Sequence, residues 1–363
     1  MLSGSGPVSG SQQSVIQAAQ TVPSTRTRAQ RLSQIQPATY AAWQSAYAGV
    51  IDNPAIGLAA YVVLSGLRST VLKALQIQGD HVPINGENPI SFCNVFLISQ
   101  TMVGLAHVFA DRGQLTRDLA RLDRRAFWLL AGNIVLGSVL APMSFFLALD
   151  QLSVINQTLL FSLTLPVSAA IALLWWKEPL PDRFWWSLPL IIAGLLVGKL
   201  LGPMLMGAGP MGNQTRGVLW ALVSILATVL RHGLGRKLSL YAIGRGLSAG
   251  VPNLAGALAF AVIALKQYGP QHFFYLSIWW VLGVIVIYGF TLCLGTELLK
   301  QVVQQHFTGI QIGLASTATL VVTILSAAIA LGEPIHAATW ASMVLILTGV
   351  SLRFVWPRPS RRE

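Results

Sequence analysis

Apolar runs of about twenty residues recur along the whole chain, each long enough to cross the hydrocarbon core of a bilayer as a helix. A backbone inside lipid must satisfy its own hydrogen bonds, and continuous apolar runs do so as helices rather than as strands of alternating pattern. The candidates are residues 54–72, 90–109, 126–147, 155–174 and 184–201. A Gly/Pro-rich linker at 202–216 follows, then 217–234, 247–265, 277–294, 309–331 and 337–355. The expected fold class is an all-α integral membrane protein of about ten transmembrane helices. The sixth and seventh runs are the weakest, interrupted by Arg231, His232 and Pro252.

Only 10% of the 363 residues are charged, against roughly a quarter in a soluble domain. With ten spans, the N-terminal tail, the even-numbered loops and the C-terminal tail share one side and hold 19 of the 24 Lys and Arg. Both termini are therefore expected in the cytoplasm. The net charge of +12 reflects this asymmetry, and a nucleic-acid surface, which needs a clustered basic face, loses its motive. Tryptophans at span ends (Trp175, Trp176, Trp185, Trp186, Trp279, Trp280, Trp356) suit the headgroup level. Two cysteines, Cys93 and Cys293, are too few for a disulfide framework or a thiolate metal cluster.

Residues 1–39 are polar, carry Arg26, Arg28 and Arg31, and hold no acid. They read as a disordered cytoplasmic extension, with a plastid transit peptide as the alternative. Tyr40, Trp43, Tyr47 and Ile51 then recur at helical spacing, as in an interfacial helix.

The chain contains a duplication. Thr70-Val71-Leu72-Lys73 returns as Thr228-Val229-Leu230-Arg231, and Ser168–Leu173 returns as Ser326–Leu331, both at an offset of 158 residues. Glu178-Pro179 and Glu333-Pro334 follow at an offset of 155. Five spans are an odd number, so the second half crosses in the opposite sense, as in inverted-repeat transporters. The expected organisation is a tail at 1–39, a first five-helix repeat at 40–205, a second at 206–356 and a basic C-terminal tail at 357–363.

Residues 163–198 and 316–352 resemble the terminal part of each EamA-like repeat in the drug/metabolite transporter superfamily. The shared pattern is a Pro in an apolar span, then Gly-Glu or Lys-Glu, then an apolar span ending in Gly. The first copy keeps Pro166 and Glu178. The second keeps Gly332 and Glu333 but has Val321 where the Pro would fall. The resemblance implies a ten-helix transporter moving metabolites, amino acids, nucleotide sugars or drugs. It implies a bacterial inner membrane or an organelle envelope such as that of a plastid.

Arg68 lies deep in the first run, where a charge costs about 2.5–3.5 kcal/mol on insertion scales. It is either a fixed cation facing a cavity or a snorkelling side chain with a buried partner. Asn133, Gln157, Ser162, Tyr288, Thr291, Gln311 and Thr317 are further substrate-binding candidates, each with interhelical packing as the alternative. Asp150 and Glu297, at the ends of the third and eighth runs, are candidate proton-coupling groups. Glu178, Glu333 and Pro166 read as structural, because Glu-Pro marks a turn.

Gly194-x-x-x-Gly198 and Gly309-x-x-x-Gly313 permit close helix approach, within the chain or across a homodimer. No cofactor or metal is expected. Six scattered His and no Walker loop, HExxH, nucleophile elbow or CxxC leave ATP-driven transport and common hydrolytic chemistry without support. A membrane-embedded enzyme and a non-transporting scaffold or sensor are the rival readings to a small-solute carrier.

Overall fold

The computed structural model describes residues 53–176, 184–198, 214–241, 243–307 and 309–352. The polar tail, the interfacial segment before residue 53, Glu178 and the basic C-terminal tail lie outside the described residues. So does most of the Gly/Pro-rich linker.

Twelve helices organise the described chain: α1 (Pro54–His81), α2 (Phe92–Ala110), α3 (Arg112–Ala120), α4 (Arg124–Gln151), α5 (Val154–Phe161), α6 (Thr164–Trp176), α7 (Phe184–Leu196), α8 (Gln214–Leu238), α9 (Gly246–Gln267), α10 (Trp279–Gln304), α11 (Gly309–Leu331) and α12 (Ala337–Leu352). Among the described residues seven helical stretches are long and apolar enough to cross a membrane, with α5 and α6 forming one of them. Three shorter apolar helices lie in α7, α11 and α12. No strand occurs among the described residues, and the chain is an all-α integral membrane protein. The sixth and seventh runs, weakest in the sequence, are both full-length helices.

Two helices outrun their apolar segments. Asn53 caps α1 by accepting from the Ala55 amide at 3.1 Å, and Pro54 starts the helix. It continues nine residues past Leu72 because the following stretch is rich in helix formers, and it stops just before Pro83. Likewise α10 continues past Leu294, so Glu297 sits inside the helix rather than at its end.

Prolines explain the irregular turns in α4 and between α5 and α6. In α4, Pro142 has no amide to offer the Ser138 carbonyl, and residues 134–140 take a widened π turn. Gln100 of α2 supplies the missing donor, its Nε2 lying 2.7 Å from the Ser138 carbonyl. Neighbouring carbonyls of α4 also accept from Gln76 of α1 (Phe146, 3.0 Å), Gln157 of α5 (Phe145, 3.0 Å) and Ser224 of α8 (Ala141, 2.9 Å). Ahead of Pro166 the chain breaks at Ser162-Leu163, separating α5 from α6. The related α11, with Val321, runs unbroken. Further π turns open α9 at Gly246–Gly250 and interrupt α10 at Tyr288–Leu294.

Helices pack in definite pairs. α2 lies along α9 and α7 along α12; α1 contacts α10 and α11, and α8 contacts α4, α5 and α6. α2 also meets α10, α9 meets α4, and α5 meets α11. Phe92, Phe96, Phe146 and Phe260 fill the centre where α2, α4 and α9 meet, with ring centroids 5.2–6.1 Å apart. A side chain on Gly194 would meet Ile346 and the Ser342 carbonyl of α12 at 2.8 and 2.9 Å. That glycine therefore serves packing within the chain.

One polar cluster lies outside the apolar helices. Asn85 and Gly86, both at positive φ, form a tight turn that brings Glu87 beside His272. His272 is buried; its Nε2 is 2.7 Å from Ser91 Oγ, its Nδ1 is 3.4 Å from Glu87 Oε2, and its ring stacks on Tyr268 and meets Tyr275 edge-on. Burial holds the imidazole below the usual histidine range, and Glu87 opposes this without reversing it. The unfolded chain then takes up the proton first, so stability falls as pH drops below about 6.5 toward the lowered value. Thermal unfolding measured across pH 5 to 8 is expected to show this slope, and His272→Gln to flatten it.

Candidate functional site

Tyr61, Ser65 and Arg68 fall on one stripe of α1, at i, i+4 and i+7. On the adjoining side, Gly66 lets α1 press against α11: a side chain there would come within 2.6 Å of Val322 Cγ1 and 3.1 Å of the Thr319 carbonyl. Thr70 and Ser326 share a 2.7 Å hydroxyl bond across the same contact. With α1 so held, Arg68 lies among Tyr288, Cys293 and Glu297 of α10.

Arg231 of α8 reaches the same region, within the electrostatic range of Arg68 and Glu297. It crosses the bare backbone of Gly137 in the π turn of α4, where a Cβ would lie 2.6 Å from its Nε. Arg68 and Arg231 are both exposed, although each lies within a helix long and apolar enough to cross a membrane. Glu297, in the same span as Tyr288, has 35% of its side chain accessible, and Lys300 Nζ lies 3.8 Å from its carboxylate. Beside them the buried Tyr288 hydroxyl lies against Arg68 and Cys293.

The sequence candidates divide accordingly. Arg68, Tyr288 and Glu297 come together. Gln157 and Ser162 spend their donors on the Phe145 and Leu159 carbonyls. Thr291 lies on an exposed face with Ile287 and bonds its carbonyl. Asn133 is buried just before the π turn of α4, and Gln311 and Thr317 stand on the first half of α11. Asp150 is exposed at the end of α4, where the Lys73 ammonium donates to the Leu149 and Asp150 carbonyls at 2.5 and 3.2 Å. Pro166 opens the break between α5 and α6.

Glu333 has a defined structural position. Gly332 ends α11 at positive φ, and the Glu333 carboxylate then accepts from the Val154 and Ile155 amides of α5 at 2.7 and 2.9 Å. Asp111 and Asp118 do the same for the start of α9, accepting from the Gly246 and Gly244 amides at 2.8 and 2.6 Å. Nearby, Arg245 donates to Gln301 Oε1, Gln301 Nε2 lies 3.0 Å from His107 Nε2, and His107 Nδ1 is 2.8 Å from the Val103 carbonyl. This run is satisfied by a neutral His107 carrying its proton on Nδ1.

Arg231 is a candidate that the sequence does not single out. It reads as one of the cytoplasmic loop charges, whereas α8 carries it well inside the helix. Its signal was the interruption of an apolar run. Among the described residues no group of three or more His, Cys, Asp or Glu could hold a metal ion.

The chain is 27% identical over 319 residues to an uncharacterized transporter of Synechocystis sp., with 84% of this chain and 87% of that protein aligned. A crystal structure of a protein given no function covers 81% of this chain and 96% of its own, at 17% identity and a TM-score of 0.45. No family model matches the sequence.

Proposed function

We propose that this protein is a secondary-active carrier of a small solute, built from ten spans in two inverted halves that work by alternating access. The observation that carries the reading is the group of charges that α1, α8 and α10, helices drawn from both halves, place within apolar spans. A scaffold has no need of charges within its spans that cost several kcal/mol each. An inverted-repeat carrier places its site there.

The packing supports the same reading. Exchanging α1 with α8, α2 with α9, α4 with α10, α5 and α6 with α11, and α7 with α12 turns each pair given above into itself or into another of them. The π turns of α4 and α10 correspond under this exchange. Two similar halves of opposite sense can trade conformations and open the site to each face in turn. The name of the Synechocystis relative agrees with transport. On this reading the protein belongs with EamA-like carriers, lies in a bacterial inner membrane with both termini cytoplasmic, and performs no chemistry on its solute.

Counterflow in proteoliposomes is the test. Vesicles loaded with a metabolite mixture should exchange labelled compounds above the rate of empty liposomes. Absence of exchange across a broad library would favour the scaffold reading.

A further inference from the structure

The charges within the spans do not balance. Arg68 and Arg231 lie inside helices apolar enough to cross a membrane, and Glu297 is the sole carboxylate acting on both among the described residues. Lys300, 3.8 Å from Glu297, adds a further cation. Two guanidinium groups against one carboxylate leave an excess of positive charge within the spans. Such an excess is costly there unless an anion enters. The buried Tyr288 hydroxyl lies beside Arg68 at the same place.

The geometry favours recognition over mere charge. A guanidinium presents a planar fork of donors that matches two oxygens of a carboxylate or phosphate. Arg231 is laid across Gly137, where any side chain would displace it, so its direction is fixed by the backbone of another helix. The close contact of Gly66 with α11 fixes the stretch of α1 that carries Arg68. The two arginines thus come from equivalent helices of the two halves, α1 and α8, and a shift of one half against the other changes their separation.

We propose that Arg68 and Arg231 together bind the transported solute, which is a small anion bearing a carboxylate or phosphate, with Glu297 as the internal counter-ion it displaces. The proposal rests on the transport reading for the word "transported"; the anion site itself stands on the charges and can be tested without transport.

The first arm is thermal unfolding of the purified full-length protein with inorganic phosphate or succinate, and with mannitol as a neutral control at matched ionic strength. Phosphate, succinate or both should raise the melting temperature of the wild type, and mannitol should not. Arg68→Gln and Arg231→Gln should each weaken anion binding by roughly tenfold to a hundredfold, the worth of one charge-assisted hydrogen bond. Glu297→Gln should tighten it. Should either arginine variant fail to fold, Arg68→Lys keeps the charge but loses the fork, and Gly137→Ala displaces Arg231 without changing any charge; both should weaken binding.

The second arm is counterflow with anionic, neutral and cationic libraries. Exchange confined to anions and lost in the arginine variants supports the proposal. Exchange of neutral or cationic solutes that survives in the variants overturns it while leaving the carrier intact. Anion stabilisation with no exchange of any compound keeps the site and overturns transport. Equal stabilisation of wild type and arginine variants, or none by either anion, overturns the site.

Discussion

Gly256→Leu is expected to remove the folded protein from detergent extracts altogether, while Gly256→Ala survives with a melting temperature lowered by several degrees. Gly256 lies where α9 crosses α4, and a Cβ there would stand 2.7 Å from Ser138 Cβ and 2.9 Å from the Ser138 carbonyl, and would collide with Gln100 Oε1. The carbonyl is backbone and cannot turn aside. It is also the one left without a helical donor by Pro142 and satisfied by Gln100. A leucine therefore overpacks the crossing and breaks the bond that repairs the π turn. Overpacking costs about 1–3 kcal/mol or more, and an orphaned buried carbonyl about 1–3 kcal/mol. Their sum is a large share of the ~5–15 kcal/mol that holds a typical fold. Gly104 and Gly250 lie in the neighbouring contact of α2 with α9, where a Cβ would stand 3.0 Å from the Leu254 amide and 3.2 Å from the Val108 amide. Size-exclusion chromatography of the solubilised variants separates the outcomes: a monodisperse Gly256→Leu would mean that α9 can move away from α4.

Glu333→Ala should cost about 2–4 kcal/mol of stability, read as a clear fall in thermal unfolding temperature. The carboxylate receives two amides at the start of α5, at 2.7 and 2.9 Å, in a part-buried position. Bonds to a charged acceptor are worth about 1.5–3 kcal/mol each, and exposure discounts them toward the lower end. Glu333→Gln keeps one acceptor oxygen and should fall near halfway. An alanine variant as stable as the wild type would show that water or Ser153, which already caps the Asn156 amide, can replace the carboxylate. Because this contact joins the end of α11 to the start of α5, its loss should also be felt wherever those helices move relative to each other.

Much of the fold was readable because lipid leaves a chain so little choice. Hydropathy and the Pro–Gly punctuation placed the apolar helices, whereas the break at Ser162-Leu163 ahead of Pro166 divides a run that reads as one span. The helix ends were less legible. Apolar content stops at Leu72 and Leu294, but helix propensity does not, so α1 and α10 run on and carry Lys73 and Glu297 inside them. The π turn of α4 could be suspected from Pro142; that Gln100 answers it could not, because the partner comes from another helix.

The site was half legible. Arg68 stood out because a charge in an apolar run demands an explanation. Arg231 did not, because the neighbouring His232 and the following basic residues made it read as a loop. Lys73, which aligns with Arg231 in the sequence duplication, turns to the carbonyls at the end of α4. Gln157, Ser162 and Thr291 are polar residues in spans whose donors go to carbonyls of the chain itself. Composition cannot separate these cases, since only the third dimension says which way a side chain faces.

The inversion of the two halves is the root of the proposed mechanism, and it can be measured directly. Gly113 follows the second apolar helix of the first half and Gln271 the second of the other half, and both are exposed. With Cys93 and Cys293 replaced by alanine, a single cysteine at each position can be labelled by a membrane-impermeant maleimide in right-side-out and inside-out vesicles. Two inverted halves predict that Gly113→Cys reacts only from the cytoplasmic face and Gln271→Cys only from the opposite one. Reaction of both from the same face would contradict the inversion and, with it, alternating access by exchange of the two halves.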